Sequence, residues 1–237
     1  MDPIALLRAK PARAALLFDV DGTLAPIVER PEDARVPEAT RAQLRRLVGR
    51  YALVACVTGR PAELARSFVG VDGIEIVGEH GLGLDPESAA WAERIHRFAD
   101  GVDWPAERKE LAVTFHYRTH PDHDAARARL AEVAAAAEAE GFHARWGRRI
   151  LELVPPVEAD KGLAVKTLLA RRPEVRAALF AGDDWTDLDG FRGLGEAGLE
   201  LAVRVAVLAE ENPPPLVEQA DVVVNGPEGL ADLLRLL

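Results

Sequence analysis

The chain has 237 residues with a net charge of −10, 49% hydrophobic and 29% charged residues, and a single cysteine. That length buries a substantial core, and the acidic balance argues against a binder of nucleic-acid backbone, whose affinity rests on Lys and Arg, while leaving room for a local basic pocket. One cysteine excludes an internal disulfide and a cysteine-based metal cluster, and no stretch is apolar enough to span a bilayer.

Ala14 to Phe18 is a short, uniformly apolar run that ends in Asp19-Val20-Asp21-Gly22-Thr23-Leu24. Such a run reads as a buried strand of a parallel sheet, and its C-terminal end is where open α/β folds bind ligands. Two carboxylates at that point repel each other unless a cation or a shared proton compensates, which points to a hard divalent metal. Pro26 to Pro37 forms a proline-punctuated loop, and Pro37 opens a helical pattern through Leu44, Leu47 and Val48. Tyr51 to Val57 is the second strand, with Cys56 buried inside it. It runs into Thr58-Gly59-Arg60-Pro61, a strand-to-helix turn whose N–H groups, hydroxyl and guanidinium suit an anion. Ile74 to Val77 is a third strand ending at Gly78-Glu79-His80-Gly81-Leu82-Gly83, a tight loop at the same mouth as the acids, where Glu79 and His80 are either substrate contacts or a solvated pair.

From Asp85 the pattern changes. A helix over Ala89–Phe98, a strand over Leu111–Tyr117, an alanine-rich helix over Asp122–Glu140, and strands over Phe142–Trp146 and Ile150–Val154 describe an inserted α+β module, 85–158, closed by Pro155-Pro156. Residues 1–84 and 159–237 then form a single α/β core. Asp160-Lys161-Gly162 opens a helix through Leu169, and Ala177–Ala181 is a strand ending in Gly182-Asp183-Asp184-Trp185-Thr186-Asp187. Leu201–Leu208 and Val222–Val224 are further strands, and a helix runs from Gly226 to Leu237. The N-terminal segment MDPIALLRAK has no apolar core or cleavage signature, so the expected location is the cytoplasm.

In order, one strand ends in Asp-x-Asp, the next in a threonine, a helix starts with lysine, and a later strand ends in Gly-Asp-Asp. This series resembles the four motifs of the haloacid dehalogenase (HAD) phosphohydrolases. The resemblance implies a Rossmannoid parallel-sheet core with a C2B-type α+β cap, a Mg2+ cofactor and phosphoryl transfer. It implies Asp19 as nucleophile and Asp21 as general acid and base. Thr58 would donate to a phosphoryl oxygen, and Lys161 would neutralise nucleophile and phosphate. The metal would be held by Asp19, the Asp21 backbone carbonyl and Asp183, with Asp184 and Asp187 behind them or fixing the loop.

The position of the insertion is that of the sugar-phosphatase branch. Within that branch, Val57-Thr58-Gly59-Arg60, Gly78-Glu79-His80-Gly81, Phe115-His116-Tyr117-Arg118, Gly147-Arg148 through Leu151-Glu152, and the core motifs resemble the trehalose-6-phosphate phosphatases. This implies a small-molecule sugar phosphate as partner. Gly59, Arg60, Glu79, His80, His116, Arg118, Arg148 and Glu152 are the candidate binding residues, with Arg148 and Glu152 the expected pair for sugar hydroxyls. Val154 stands where that family often has a basic residue, and Leu82-Gly83 gives the loop no charged side chain. Sucrose, glycosylglycerate and hexose phosphates stay open as substrates, as does a mutase. A non-catalytic, receiver-like module is the alternative of another class, although it would need neither Asp21 nor a large insertion.

Overall fold

The computed structural model describes residues 2–28, 30, 33–147, 149–209 and 212–237. It begins with helix α1 (Pro3–Ala9), strand β1 (Ala14–Phe18), helix α2 (Glu38–Leu47), strand β2 (Leu53–Val57), helix α3 (Ala62–Val69) and strand β3 (Glu75–Val77). Then come helix α4 (Ser88–Asp100), strands β4 (Ala106–Arg108) and β5 (Val113–His116), helix α5 (His123–Ala139), and strands β6 (His143–Gly147) and β7 (Ile150–Val154). The chain continues with helix α6 (Lys161–Ala170), strand β8 (Ala177–Gly182), helix α7 (Trp185–Glu196), strand β9 (Leu201–Leu208), helix α8 (Pro214–Gln219), strand β10 (Val222–Asn225) and helix α9 (Gly226–Leu236).

Two compact units result: residues up to Gly81 together with Ala159–Leu237, and Leu82–Glu158. The first unit is built on a six-stranded sheet of order β10-β9-β8-β1-β2-β3, parallel throughout. Strands β1 and β2 are buried at every residue, which is why their sequences carry no alternation: both faces are covered. Leu16, Phe18, Val54 and Cys56 join Leu44 and Leu47 of α2, Leu230 and Leu234 of α9, and Ile4 and Leu7 of α1 in one core. On β8, Phe180 meets Phe191 of α7 edge-on at 6.2 Å between centroids. Strand order runs outward from β1 to β3 on one side and from β8 to β10 on the other. The β1/β8 boundary is therefore the switch point at which ligands bind such sheets.

The second unit has an antiparallel sheet of order β4-β5-β7-β6. Ile95 and Ala99 of α4 and Ala126, Leu130, Val133 and Ala137 of α5 pack on Val113, Phe115, Leu151 and Leu153. One sheet face is thus covered, and period-two geometry sends Thr114, His116 and Glu152 to the other. The helix expected over Asp122–Glu140 is present with Asp122 as its cap, accepting from Asp124 N and Ala125 N. The strand expected over Leu111–Tyr117 is shorter, and β4 has no counterpart in the sequence reading.

At the core end of the insertion, Gly81 has φ +96°, and a β-carbon on it would lie 3.5 Å from the Asp160 carbonyl oxygen and 3.0 Å from Ala164 Cβ. The chain therefore leaves the first unit beside the place where it returns.

Candidate active site

The site is built at the switch point by backbone register. Phe18 pairs with Ala181, and Asp19 N donates to Ala181 O at 2.9 Å, so the acid after β1 and the acid after β8 leave the sheet side by side. Phe18 also pairs with Cys56, which brings Thr58 to the same edge one strand over. Gly22 (φ +81°) turns the chain under Asp183. A β-carbon there would meet Asp183 Oδ2 at 2.1 Å, so no side chain fits without moving that carboxylate.

Asp19, Asp183 and Asp187 each bring a carboxylate oxygen within 4.8 Å of the others, and all three are buried. Lys161, at the first turn of α6, places Nζ 2.8 Å from Asp19 Oδ1 and 2.7 Å from Asp187 Oδ1 while only 3% exposed. Asp187 Oδ2 accepts from the backbone N–H groups of Asp183 (2.9 Å) and Asp184 (3.0 Å). Asp184 in turn caps α7 with its carboxylate on Trp185 N, completing a capping box. Thr23 Oγ1 donates to Asp183 Oδ1 at 2.8 Å, and Asn212 Nδ2 donates to Asp183 O at 2.9 Å.

Burial pushes Asp19 well above the usual carboxylate range, against the pull of Lys161 and with a further push from Asp187. Burial likewise raises Asp183 to about 7; the Thr23 hydroxyl opposes the rise and Asp187 adds to it. Lys161 is raised despite its burial, because Asp19 and Asp187 favour its charge. When ionised, three buried carboxylates outnumber one ammonium, and oxygen donors of this kind suit a hard divalent cation. Asp187 has both oxygens engaged by Lys161 and the loop N–H groups, so Asp19 and Asp183 are the side chains with donor capacity to spare.

The Asp21 carboxylate does not join this cluster. It receives Arg60 Nε at 2.5 Å and Nη2 at 2.7 Å. Thr58 is 1% exposed; its Oγ1 accepts from Arg60 N at 3.3 Å, and its carbonyl accepts from His80 N at 2.9 Å. The His80 ring lies over Gly59, where a β-carbon would be 2.6 Å from Nε2. Glu79 is buried, and it and His80 both hold left-handed backbone (φ 48° and 55°), a conformation that costs a non-glycine residue energy and clusters at functional sites. Thr58, Gly59, Arg60, Glu79 and His80 thus form one double loop.

In the second unit, Glu152 Oε1 accepts from Lys109 Nζ at 2.6 Å and from Thr114 Oγ1 at 3.1 Å. His116 Nε2 lies 2.6 Å from Glu107 Oε2. Arg118 is exposed beyond the end of β5, and its carbonyl meets His123 Nε2 at 3.0 Å. Arg148 lies outside the described residues. Sequence reasoning missed Lys109, Thr114 and Asn212, which carry no motif of their own. It also passed over Thr23, although Thr23 sits inside the DGT signature.

The parallel core whose switch point gathers Asp19, Asp183, Asp187 and Lys161 has the fold of a solved haloacid dehalogenase-like hydrolase from Bacteroides thetaiotaomicron, with a TM-score of 0.59 at 17% identity, covering 94% of this chain and 98% of the other. A family model described as trehalose-phosphatase matches residues 17–104 and 100–213. The chain belongs to the trehalose-phosphatase family. It is 31% identical over 240 residues to a trehalose-phosphate phosphatase of Mycobacterium marinum, covering 87% of this chain and 60% of that protein. It is 32% identical over 218 residues to an uncharacterized glycosyl hydrolase of Mycobacterium tuberculosis, covering 81% of this chain and 16% of that protein. The chain therefore spans less than two thirds of the length of either relative. A crystal structure of a trehalose-6-phosphate phosphatase related protein superposes with a TM-score of 0.70 at 25% identity, covering 93% of this chain and 95% of the other.

Proposed function

We propose that the chain hydrolyses trehalose 6-phosphate to trehalose and inorganic phosphate, with Mg2+ and through a phosphorylated Asp19. The observation that carries this is the buried Asp19–Lys161–Asp187 chain of contacts beside Asp183 at the switch point. The trehalose-phosphatase family supports the choice of sugar. Asp19, Asp183 and the Asp21 backbone carbonyl would hold the metal, which when bound supplies positive charge to the nucleophile and the phosphoryl oxygens. An Asp19 oxygen forms a bond to phosphorus as the bond to the sugar oxygen breaks, and Asp21 gives that oxygen its proton. Asp21 then takes a proton from water, whose oxygen bonds to phosphorus as the bond between phosphorus and the Asp19 oxygen breaks. Lys161 offsets charge on Asp19 and the phosphoryl group, and Thr58 donates to a phosphoryl oxygen. Asp187 holds Lys161 and the Asp183 loop in place. The second unit is read as the C2B-type cap, with Lys109, His116, Arg118, Arg148 and Glu152 choosing the leaving sugar. We place the reaction in the cytoplasm, where a lone thiol such as Cys56 stays reduced.

The test is phosphate release with Mg2+ from trehalose 6-phosphate, sucrose 6-phosphate and glucose 6-phosphate, by wild type and Asp19→Asn. Trehalose 6-phosphate is expected to turn over fastest, and the variant to lose at least about a thousandfold. Faster release from another sugar phosphate would replace the substrate. A fully active Asp19→Asn would remove the nucleophile.

A further inference from the structure

Arg60 reads from the sequence as a residue that binds substrate, yet its guanidinium is turned onto a neighbour in the protein. Nε and Nη2 fork onto the two Asp21 oxygens at 2.5 and 2.7 Å. The fork is held from behind. Arg60 Cζ stands 4.4 Å from the ring centroid of Phe68, a side chain only 1% exposed, and Arg35 Cζ stands 4.6 Å from the same ring. Its backbone is tied as well: Arg60 O accepts from Glu79 N at 2.9 Å, and Arg60 N donates to Thr58 Oγ1. The Asp21 end is set by a tight turn in which Gly22 N donates to Ala25 O at 2.8 Å and Asp21 bridges to Ala25.

A carboxylate with 35% of its side chain exposed would otherwise sample several rotamers. A forked guanidinium fixes the plane of the carboxylate as well as its distance, which a lysine, as a point charge, cannot do. Each oxygen keeps a further lone pair for a proton. Proton transfer to a leaving oxygen depends steeply on such placement.

We infer that Arg60 is a positioning residue that serves the reaction through Asp21, by fixing the plane of its carboxylate, and not as a ligand of the sugar phosphate. The inference rests on the reading of Asp21 as the acid and base of the phosphatase.

The experiment is a double-mutant cycle of Arg60→Gln and Asp21→Asn on trehalose 6-phosphate with Mg2+, with Arg60→Lys alongside. Arg60→Gln is expected to lower kcat by about 10- to 100-fold with KM within about twofold, and to cost less than about threefold more in the Asp21→Asn background. Arg60→Lys restores charge without the fork and should recover only part of kcat. With 4-nitrophenyl phosphate, whose leaving group needs little protonation, the first-turnover burst of Arg60→Gln should stay within about threefold of wild type. A merely structural role would slow both substrates alike. Losses that multiply in the double variant, a rise in KM with kcat kept, or equal damage to both substrates would each overturn the inference. If Asp21→Asn turned over sugar phosphate as fast as wild type, the acid–base reading itself would fall, and the role of Arg60 with it.

Discussion

Burial holds the carboxyls of Asp19 and Asp183 above their ordinary range, and the sign of that shift fixes a dependence on pH. The ordinary carboxyl value is 3.8, and Asp183 is raised to about 7 in the fold, with Asp19 shifted the same way. A carboxyl that binds its proton more tightly in the folded state contributes stability that is full below the unfolded value and lost as pH rises through the folded one. Metal-free protein should therefore lose stability between about pH 4 and pH 7 or slightly above. A divalent ion, which needs these groups deprotonated, should restore it most at the upper end. Thermal unfolding with EDTA and with Mg2+ at about a hundred times Kd is expected to differ by roughly 5–10 °C near neutral pH and by much less at pH 5. A difference independent of pH would remove the metal from these two residues. The gathering of Asp19, Asp183, Asp187 and Lys161 was legible, because strand ends in a parallel sheet concentrate polar chemistry into short motifs. The Arg60–Asp21 fork was not, because it joins two separate turns through a side-chain direction that no local pattern encodes.

At the scale of elements, β1, β2 and β8 could be read from uniform apolar runs, and α5 from its cap and alanines. Strand β4 could not: it has three residues, largely exposed, and exists only as the partner of β5. The short helices α1 and α8 begin at proline and are too brief to show a period. Helix α7 is the instructive case, since Gly190, Gly193 and Gly195 weaken its intrinsic propensity. Its packing explains one of them directly: a β-carbon on Gly193 would lie 2.2 Å from Gly162 O. Helices α6 and α7 meet through backbone there, which lets Lys161 at the start of one reach Asp187 at the start of the other. Gly193→Ala is expected to cost about 1–3 kcal/mol by overpacking, read from the urea midpoint, and to weaken Mg2+ binding as the two helix starts separate. An unchanged midpoint would show that the contact can relax.

For the molecule as a whole, every group of the acid cluster belongs to the first unit, while Lys109, His116 and Glu152 belong to the second. A protein in which Gly81 is joined to Ala159 by two glycines should unfold cooperatively and keep its Mg2+-dependent shift in Tm. Circular dichroism melts with and without the ion would check this, and a chain without a cooperative transition would show that the first unit depends on the second. On the proposed function, with the second unit choosing the sugar, the same protein should show no preference for trehalose 6-phosphate over 4-nitrophenyl phosphate.

The closeness of Gly81 to Asp160 also bears on how the chain finds its fold. Residues Leu82–Glu158, if unstructured, would be a long loop whose closure opposes the pairing of everything before it with everything after. Once they have folded by themselves, with both ends emerging together, that loop shrinks to a short tether, and the strands on either side of it join at little more entropic cost than a tight turn. Substitutions that unravel Leu82–Glu158 would then slow assembly of the parallel sheet without touching any residue in it.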